Sequence, residues 1–292
     1  MRVVSFPFQT YSKTLTSSVQ VQPSQVVPNL GPLQGIYCVL TVALTGATAS
    51  QASNSIDNSI SVVQVQDQYG KLVLNLIGTD LTILNDILQP RGVRTAPPTI
   101  TTNSAGAGSA SWSFFLPATL SAKDMPGQIN LTLAAESSLQ NANLTSAGTA
   151  TFTLNLRGAY STQTDQPTVR VNAVNIPHAQ GDNSAQAYLP NGEQVEALTF
   201  VTAADYTGST GTDTHLSYVT LIVGGALFLN QAGPQDFIQQ DNMLMQSGHA
   251  GGEYICRVPV FVVDSTVVMD INLASDTAVR LYTLSTVPQK RS

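Results

Sequence analysis

The feature that most narrows what this 292-residue chain can fold into is apolar alternation with period two, repeated along nearly its whole length and broken by Gly, Pro, Asn and Asp clusters. Within residues 13–21, Leu15, Ser17, Val19 and Val21 can share one strand face, and within 56–65 so can Ile56, Asn58, Ile60, Val62 and Gln64. Residues 128–133 align Ile129, Leu131 and Leu133, and 151–157 align Phe152, Leu154 and Leu156. Val169 and Val171 continue the pattern, with Ala173 at the next alternate position. Successive strand side chains point to opposite faces, so this spacing lays one face on a core and leaves the other outward. Residues 36–44, 218–223, 255–263 and 267–273 are more continuously apolar and read as strands covered on both faces. The count is roughly fifteen strands, at the spacing of β-sandwiches and barrels.

Two segments read differently. Residues 80–88 form an apolar stripe of Leu81, Ile83, Leu84, Ile87 and Leu88 that Asp80 can cap and Pro90 can end, a short helix between strands. Residues 236–245 hold a weaker helical pattern through Phe237, Ile238, Asn242 and Met245, where strand and helix are hard to separate. Turn residues favour antiparallel connections. Gly70 closes a hairpin loop over 66–70, Asn191-Gly192 is a strong turn pair, and Gly224-Gly225 divides two apolar runs as a hairpin or a sharp bend. Residues 95–111 and 203–214 are Gly/Ser/Thr-rich and read as exposed tips or contact arms. With no interdomain linker and no repeat of 20 to 50 residues in the sequence, the expectation is one β-rich unit over 1–292.

Charge is the next constraint. Only 10% of residues are charged, with four lysines and four glutamates, while the hydrophobic share is 42%. That argues against disorder, which needs low hydrophobicity with high net charge, and against solvated helices with Lys/Glu/Arg faces. Net charge is −6 and the pI about 4.8, which argues against a sequence-independent grip on nucleic acid. No Lys or Arg occurs over 171–256, where Asp182, Glu193, Glu196, Asp205, Asp213, Asp236, Asp241 and Glu253 all fall. Such unevenness suits two differently occupied faces; chance clustering of exposed carboxylates is the plain alternative.

Cys38 and Cys256 lack metal-type spacing and are expected as buried thiols, with a disulfide between them left open. The opening MRVVSFPFQTYSK has no apolar run of a secretory signal, and 218–229 is too short to cross a bilayer as a helix. A soluble protein made inside the cell is the expectation.

Chemistry is sparse. His178, His215 and His249 lie tens of residues apart, unlike the close spacing of zinc-binding pairs. There is no nucleophile elbow, P-loop, dinucleotide fingerprint or kinase set, and Gly106-Ala107-Gly108-Ser109 lacks the Lys-Ser/Thr ending that binds phosphate. Glu193 and Glu196 formally offer the two carboxylates of a glycosidase, but the one tryptophan, Trp112, lies in another segment. Asp264 and Asp270 bracket an apolar run without EF-hand spacing, so solvated turn carboxylates are the plainer reading. Asn130-Leu131-Thr132 and Asn143-Leu144-Thr145 match the glycosylation sequon but carry little weight without a signal peptide. Arg2 and the tail Pro288-Gln289-Lys290-Arg291-Ser292 are basic: solvated termini, or arms that reach an anionic neighbour such as lipid head groups. No catalytic, cofactor-binding or metal-binding residue is assigned, and no enzyme activity or cofactor is expected.

A strand-rich, charge-poor chain without a reactive cluster suits a building block. Lys and Glu oppose packing between subunits through side-chain entropy and desolvation, whereas Thr, Ser, Asn and Gln can hydrogen-bond across contacts. In length, in the opening MRVVSFPFQTYSK and in its charge-poor β-rich run from Ser5 to Val287, the chain resembles the larger major capsid protein of tailless icosahedral bacteriophages with an internal membrane, the sphaerolipovirus-like group. The resemblance implies an all-β fold: an upright jelly-roll barrel or sandwich built from N- and C-terminal strands, with a second, smaller β-barrel inserted and stacked on it. It also implies a virion location, synthesis in the host cytoplasm, and self-assembly with a second, smaller capsid protein around the viral membrane, without direct nucleic-acid contact. The 203–214 and 95–111 loops and the acidic span would then lie on outward or intersubunit surfaces. The alternatives are a carbohydrate- or receptor-binding jelly roll of a phage spike or fibre, with Trp112 or a tyrosine at its site, and a glycoside hydrolase using Glu193 and Glu196.

Overall fold

The computed structural model describes residues 3–15, 19–21, 24–47, 53–88, 97–101, 103–134, 144–162, 167–176, 180–184, 189, 192–202, 216–233, 236, 253–256, 261–263, 267–274 and 279–287. The chain divides into two compact units, Met1–Thr168 and Val169–Ser292.

Unit 1 contains β1 (Val3–Leu15), β2 (Val19–Val21), β3 (Gln25–Val27), β4 (Leu33–Ala47), β5 (Ser53–Ser55), β6 (Ile60–Gln66), β7 (Leu72–Leu76), helix α1 (Gly78–Leu88), β8 (Thr99–Thr101), β9 (Gly108–Leu116), β10 (Gly127–Ala134) and β11 (Leu144–Ser161). One antiparallel sheet has the order β1-β11-β4-β9. A second runs β2-β10-β6-β7, with β3 also paired to β10, and β5 and β8 form a separate ribbon. The alternation seen in the sequence is the inward half of these strands. Ile36, Cys38, Leu40, Val42 and Leu44 of β4, Phe152, Leu154 and Leu156 of β11, and Trp112, Phe114 and Leu116 of β9 are all buried. Each large side chain so buried contributes roughly 1.5–3 kcal/mol.

Unit 2 contains β12 (Val169–Ile176), β13 (Gly181–Ser184), β14 (Gln194–Thr202), β15 (Leu216–Val223), β16 (Ala226–Ala232), β17 (Glu253–Cys256), β18 (Phe261–Val262), β19 (Val268–Leu273) and β20 (Val279–Thr286). Its sheets are β12-β20-β14-β17, with β18 also on β14, and β13-β19-β15-β16. Leu198, Phe200, Val279 and Leu281 from the first sheet and Val219, Leu221, Met269 and Ile271 from the second share one buried cluster. Gly224 (φ 57°) and Gly225 (φ 80°) form the two-residue β15–β16 hairpin, whose paired positive φ angles match strand twist and favour glycine.

The two units repeat one topology. Numbering the eight principal strands of each in chain order, both have first-eighth-third-sixth in one sheet and second-seventh-fourth-fifth in the other. Eight antiparallel strands in two such sheets make a jelly roll. The terminal strands therefore divide between units: β1 pairs β11 in the first, and β20 pairs β12 and β14 in the second. This consecutive arrangement differs from a principal roll closed by both termini around an insertion. The boundary falls between Thr168 and Val169, where β12 begins, and no Gly/Ser-rich run marks it in the sequence.

Local expectations fare unevenly. Helix α1 forms, with Asp80 one turn inside its start: Ile77 N donates to Asp80 Oδ2 at 2.9 Å, the reciprocal half of a capping box. Residues 56–59 are a 3-10 turn and not a strand start. There Ser59 Oγ donates to Ile56 O at 2.6 Å and Asn58 N to Asp57 Oδ1 at 3.0 Å, so local side-chain bonds replace ladder bonds. Within 95–111, residues 108–111 extend β9. Among the described residues of that stretch, 99–101 form β8 and 103–107 make a turn, in which Asn103 Oδ1 accepts from Ala105 N (2.9 Å) and Ala107 N (3.0 Å). Residues 203–214 and, apart from Asp236, 236–245 lie outside the described residues.

Candidate functional site

The glutamate singled out as a formal catalytic acid is spent inside unit 2. Glu193 precedes β14 and is buried; Arg170 of β12, equally buried, bonds its Oε1 through NH1, and Ser285 Oγ of β20 donates to Oε2 at 2.5 Å. Register explains the meeting: Arg170 and Val195 both lie opposite Ser285. Arg170 shares a face of β12 with Ile176, and Ser285 and Thr283 share a face of β20 with Leu281 and Val279. The interior of unit 2 thus grades from apolar at Ile176 and Val279 to polar at Arg170 and Ser285. Arg170 Nε and Thr283 Oγ1 are buried without a hydrogen-bond partner. A carboxylate held by a guanidinium and a hydroxyl is a structural pin with no room to protonate a sugar. The side chain of Glu196 lies outside the described residues. The sequence clue missed was Arg170 itself, the last cation before the long span that has none.

Other candidates disperse. Trp112 is 1% exposed and packs on Phe114 (ring centroids 4.4 Å apart), so it is core and no sugar platform. Cys38 is a free, buried thiol whose pKa burial pushes far up, and Cys256 falls in the other unit, in β17. Asp270 sits half-buried in β19 opposite Ser184 and Thr220, while Asp264 lies outside the described residues. So do His178, His215, His249, Asn143, Arg2 and 288–292. Asn130 is a half-buried mid-strand residue of β10. Among the described residues no three His, Cys, Asp or Glu side chains gather as metal ligands, and no helix is long and apolar enough to cross a membrane.

What the fold does present is outward surface of an uncharged kind. On the outer face of β11-β4-β9, cross-strand rows read Thr151–Ala43–Ser109, Thr153–Thr41–Ser111 and Asn155–Val39–Ser113. Thr41 Oγ1 and Ser111 Oγ lie 2.7 Å apart, so hydroxyls pair along the face. Nearer the β4 start the row changes to Pro7–Arg157–Tyr37–Phe115, with the Tyr37 and Phe115 rings 4.9 Å apart. The outer face of the other sheet of unit 1 carries amides: Asn130, Gln64 and Asn75 form one row, with Gln64 Nε2 donating to Asn75 Oδ1 at 3.2 Å, and Gln128 pairs with Gln66. Hydroxyl and amide faces are hydrogen-bond capable yet cheap to desolvate compared with Lys and Glu.

Two antiparallel jelly rolls in tandem with outer sheet faces of this kind define a class of large all-β architecture. No family model matches the chain, and no curated protein matches its sequence. Solved structures do match. The structure titled for Sulfolobus Turreted Icosahedral Virus is similar at TM-score 0.67 and 14% identity, covering 98% of this chain and 91% of that one. The major capsid protein P2 from Bacteriophage PM2 is similar at TM-score 0.52 and 12% identity, covering 97% and 100%. The PBCV-1 virus capsid is similar at TM-score 0.57 and 9% identity, covering 95% and 94%. The chain therefore has the all-β jelly-roll fold of major capsid proteins of icosahedral viruses, from end to end.

Proposed function

We propose that the protein is a major capsid subunit, a structural virion protein that assembles with copies of itself into an icosahedral shell. The observation that carries this reading is the pair of tandem eight-stranded rolls with one shared strand order, matched over nearly the full length of proteins that form viral shells. The uncharged hydroxyl and amide faces support it, because they can be tiled against neighbours at low desolvation cost. Its work is structural: Glu193, the carboxylate a hydrolase reading would use, is consumed by Arg170 and Ser285. The reading extends to a second, smaller capsid protein and an internal membrane, which the sequence resemblance implies. A sugar-binding spike module loses Trp112 as its aromatic platform, because that ring is buried.

Sedimentation velocity and electron microscopy of the purified full chain test the reading. Oligomers or ordered lattices that grow with concentration are the expected result. A chain that stays monomeric at high concentration in every salt overturns it.

A further inference from the structure

The polar end of the unit 2 interior holds more hydrogen-bond donors than free acceptors. On the inner face of β12-β20-β14 the cross-strand rows read Val174–Leu281–Phe200, then Asn172–Thr283–Leu198, then Arg170–Ser285–Val195. Side chains shorten along that series, from Leu281 and Phe200 to Ser285 and Val195. Arg170 is the exception: it reaches across Ser285 to Glu193, which lies just before β14. Arg170 is 6% exposed and Thr283 and Ser285 are 0% exposed, so all three have given up bulk water.

The acceptors of this cluster are already engaged. Glu193 Oε1 takes Arg170 NH1, and Oε2 takes Ser285 Oγ at 2.5 Å. The backbone oxygen of Glu193 takes Val263 N at 3.0 Å. Two buried atoms are left without a partner in the protein, Arg170 Nε and Thr283 Oγ1. The first can only donate, and the second can donate or accept. Arg170 lies opposite Ser285, so Thr283 is its diagonal neighbour on the same face. Such neighbours are about 7–8 Å apart at the backbone, within reach of a long side chain. Both atoms therefore border one stretch of the interior.

We infer that Arg170 Nε and Thr283 Oγ1 share one bound molecule, a neutral hydrogen-bond acceptor the size of a water, held inside unit 2 between β12 and β20. Three features select it. Buried waters make about three hydrogen bonds, to polar groups otherwise left unpaired. Arg170 Nε, Thr283 Oγ1 and the half-buried amide of Asn172, opposite Thr283, offer that number. The Arg170–Glu193 pair is electroneutral, so an anion at the same place would leave one buried negative charge uncompensated. Third, the short side chains of Ser285 and Val195 leave volume that Leu281 and Phe200 fill at the apolar end. The bound molecule completes the hydrogen bonding of a guanidinium that ties the first, eighth and third strands of unit 2 together. This site is independent of the shell reading and stands or falls without it.

The test has a solution arm and a crystal arm, both on the full chain. Thr283→Val keeps the shape of the side chain and removes the hydroxyl, and valine suits a strand as well as threonine does. With the molecule bound, the substitution takes away one of its partners, and the urea midpoint should fall by roughly 0.5 M at unchanged slope. A midpoint that rises or stays in place shows that the hydroxyl had nothing to lose and overturns the inference. In crystals of the unsubstituted chain grown with sodium bromide, one peak of density is expected within hydrogen-bond distance of both Arg170 Nε and Thr283 Oγ1, without anomalous signal. A bromide signal there overturns the neutral assignment, and no density there overturns the site, whatever the variant does.

Discussion

The Arg170–Glu193–Ser285 cluster offers the sharpest energetic test of the structure. Both charged side chains are about 7% exposed, so each has given up nearly all its hydration for one partner. Glu193→Gln keeps the shape and can still accept from Ser285, but it strands a buried guanidinium whose Nε already lacks a partner. Removing one member of such a pair costs about 3–5 kcal/mol, because the remaining charge is uncompensated. Arg170→Met should cost a similar amount by stranding the carboxylate. The double replacement Arg170→Met/Glu193→Leu removes both charges, and buried pairs exchanged for apolar side chains of similar volume are often neutral or better. It leaves only the Ser285 hydroxyl without its acceptor, about 1–3 kcal/mol. The double variant should therefore be more stable than either single one, with a coupling energy of at least about 3 kcal/mol. Urea unfolding followed by circular dichroism reads this as midpoint shifts at constant slope. Additive single and double effects, or a Glu193→Gln cost under about 1 kcal/mol, would refute the claim that the pair is buried and mutually dependent.

Four further outcomes follow from three single residues. Tyr160 is buried with its hydroxyl unpartnered, so Tyr160→Phe should raise stability at neutral pH by about 1 kcal/mol in urea unfolding. Burial raises the Tyr160 pKa from 10 to about 12, so the native state holds the proton more tightly than the unfolded chain. Wild-type stability from this group is complete below pH 10 and declines as pH rises towards 12, and a Tyr160→Phe chain that shows the same decline would show that Tyr160 is not its source. Gly35 (φ +148°) sits under Phe115, and a Cβ there would lie 2.1 Å from the ring and 2.8 Å from Leu116 O, so Gly35→Ala should destabilise by about 2 kcal/mol or more. An unshifted unfolding midpoint would contradict that packing. Cys38, buried and with its thiol pKa pushed up, should resist iodoacetamide in the folded chain and react once unfolded, as read by peptide mass spectrometry.

The strands were most readable where every second side chain is buried, as in β4, β9 and β19. Phe152, Leu154 and Leu156 lie on one buried face as their spacing requires. Gly224-Gly225 worked because turn chemistry is local, whereas the helix starts two residues before Asp80, which bonds back to Ile77 N from inside it. Residues 56–59 misled for the same reason in reverse: their apolar spacing fits a strand, but Asp57 and Ser59 offer the backbone closer partners. The duplication of topology was hidden because it resides in pairing order, and pairing order leaves no trace in residue identity. Arg170 and Glu193 meet only through register with a third strand, β20, far away in sequence.

Topology and surface are set by different halves of each strand, and the two units separate them. Residues 1–168 hold seven cations and seven carboxylates, and residues 169–292 hold five and eleven, so equal strand order carries net charges of zero and −6. The inward half must satisfy a packed core, where a one-residue slip would turn every apolar side chain outward. The outward half is free of that demand and can be fitted to whatever it meets. If each roll met only water, nothing would favour hydroxyl and amide rows over the Lys and Glu that ordinarily keep surfaces soluble. Their scarcity on the described outer faces of unit 1 is what contact with neighbours on the flanks would select.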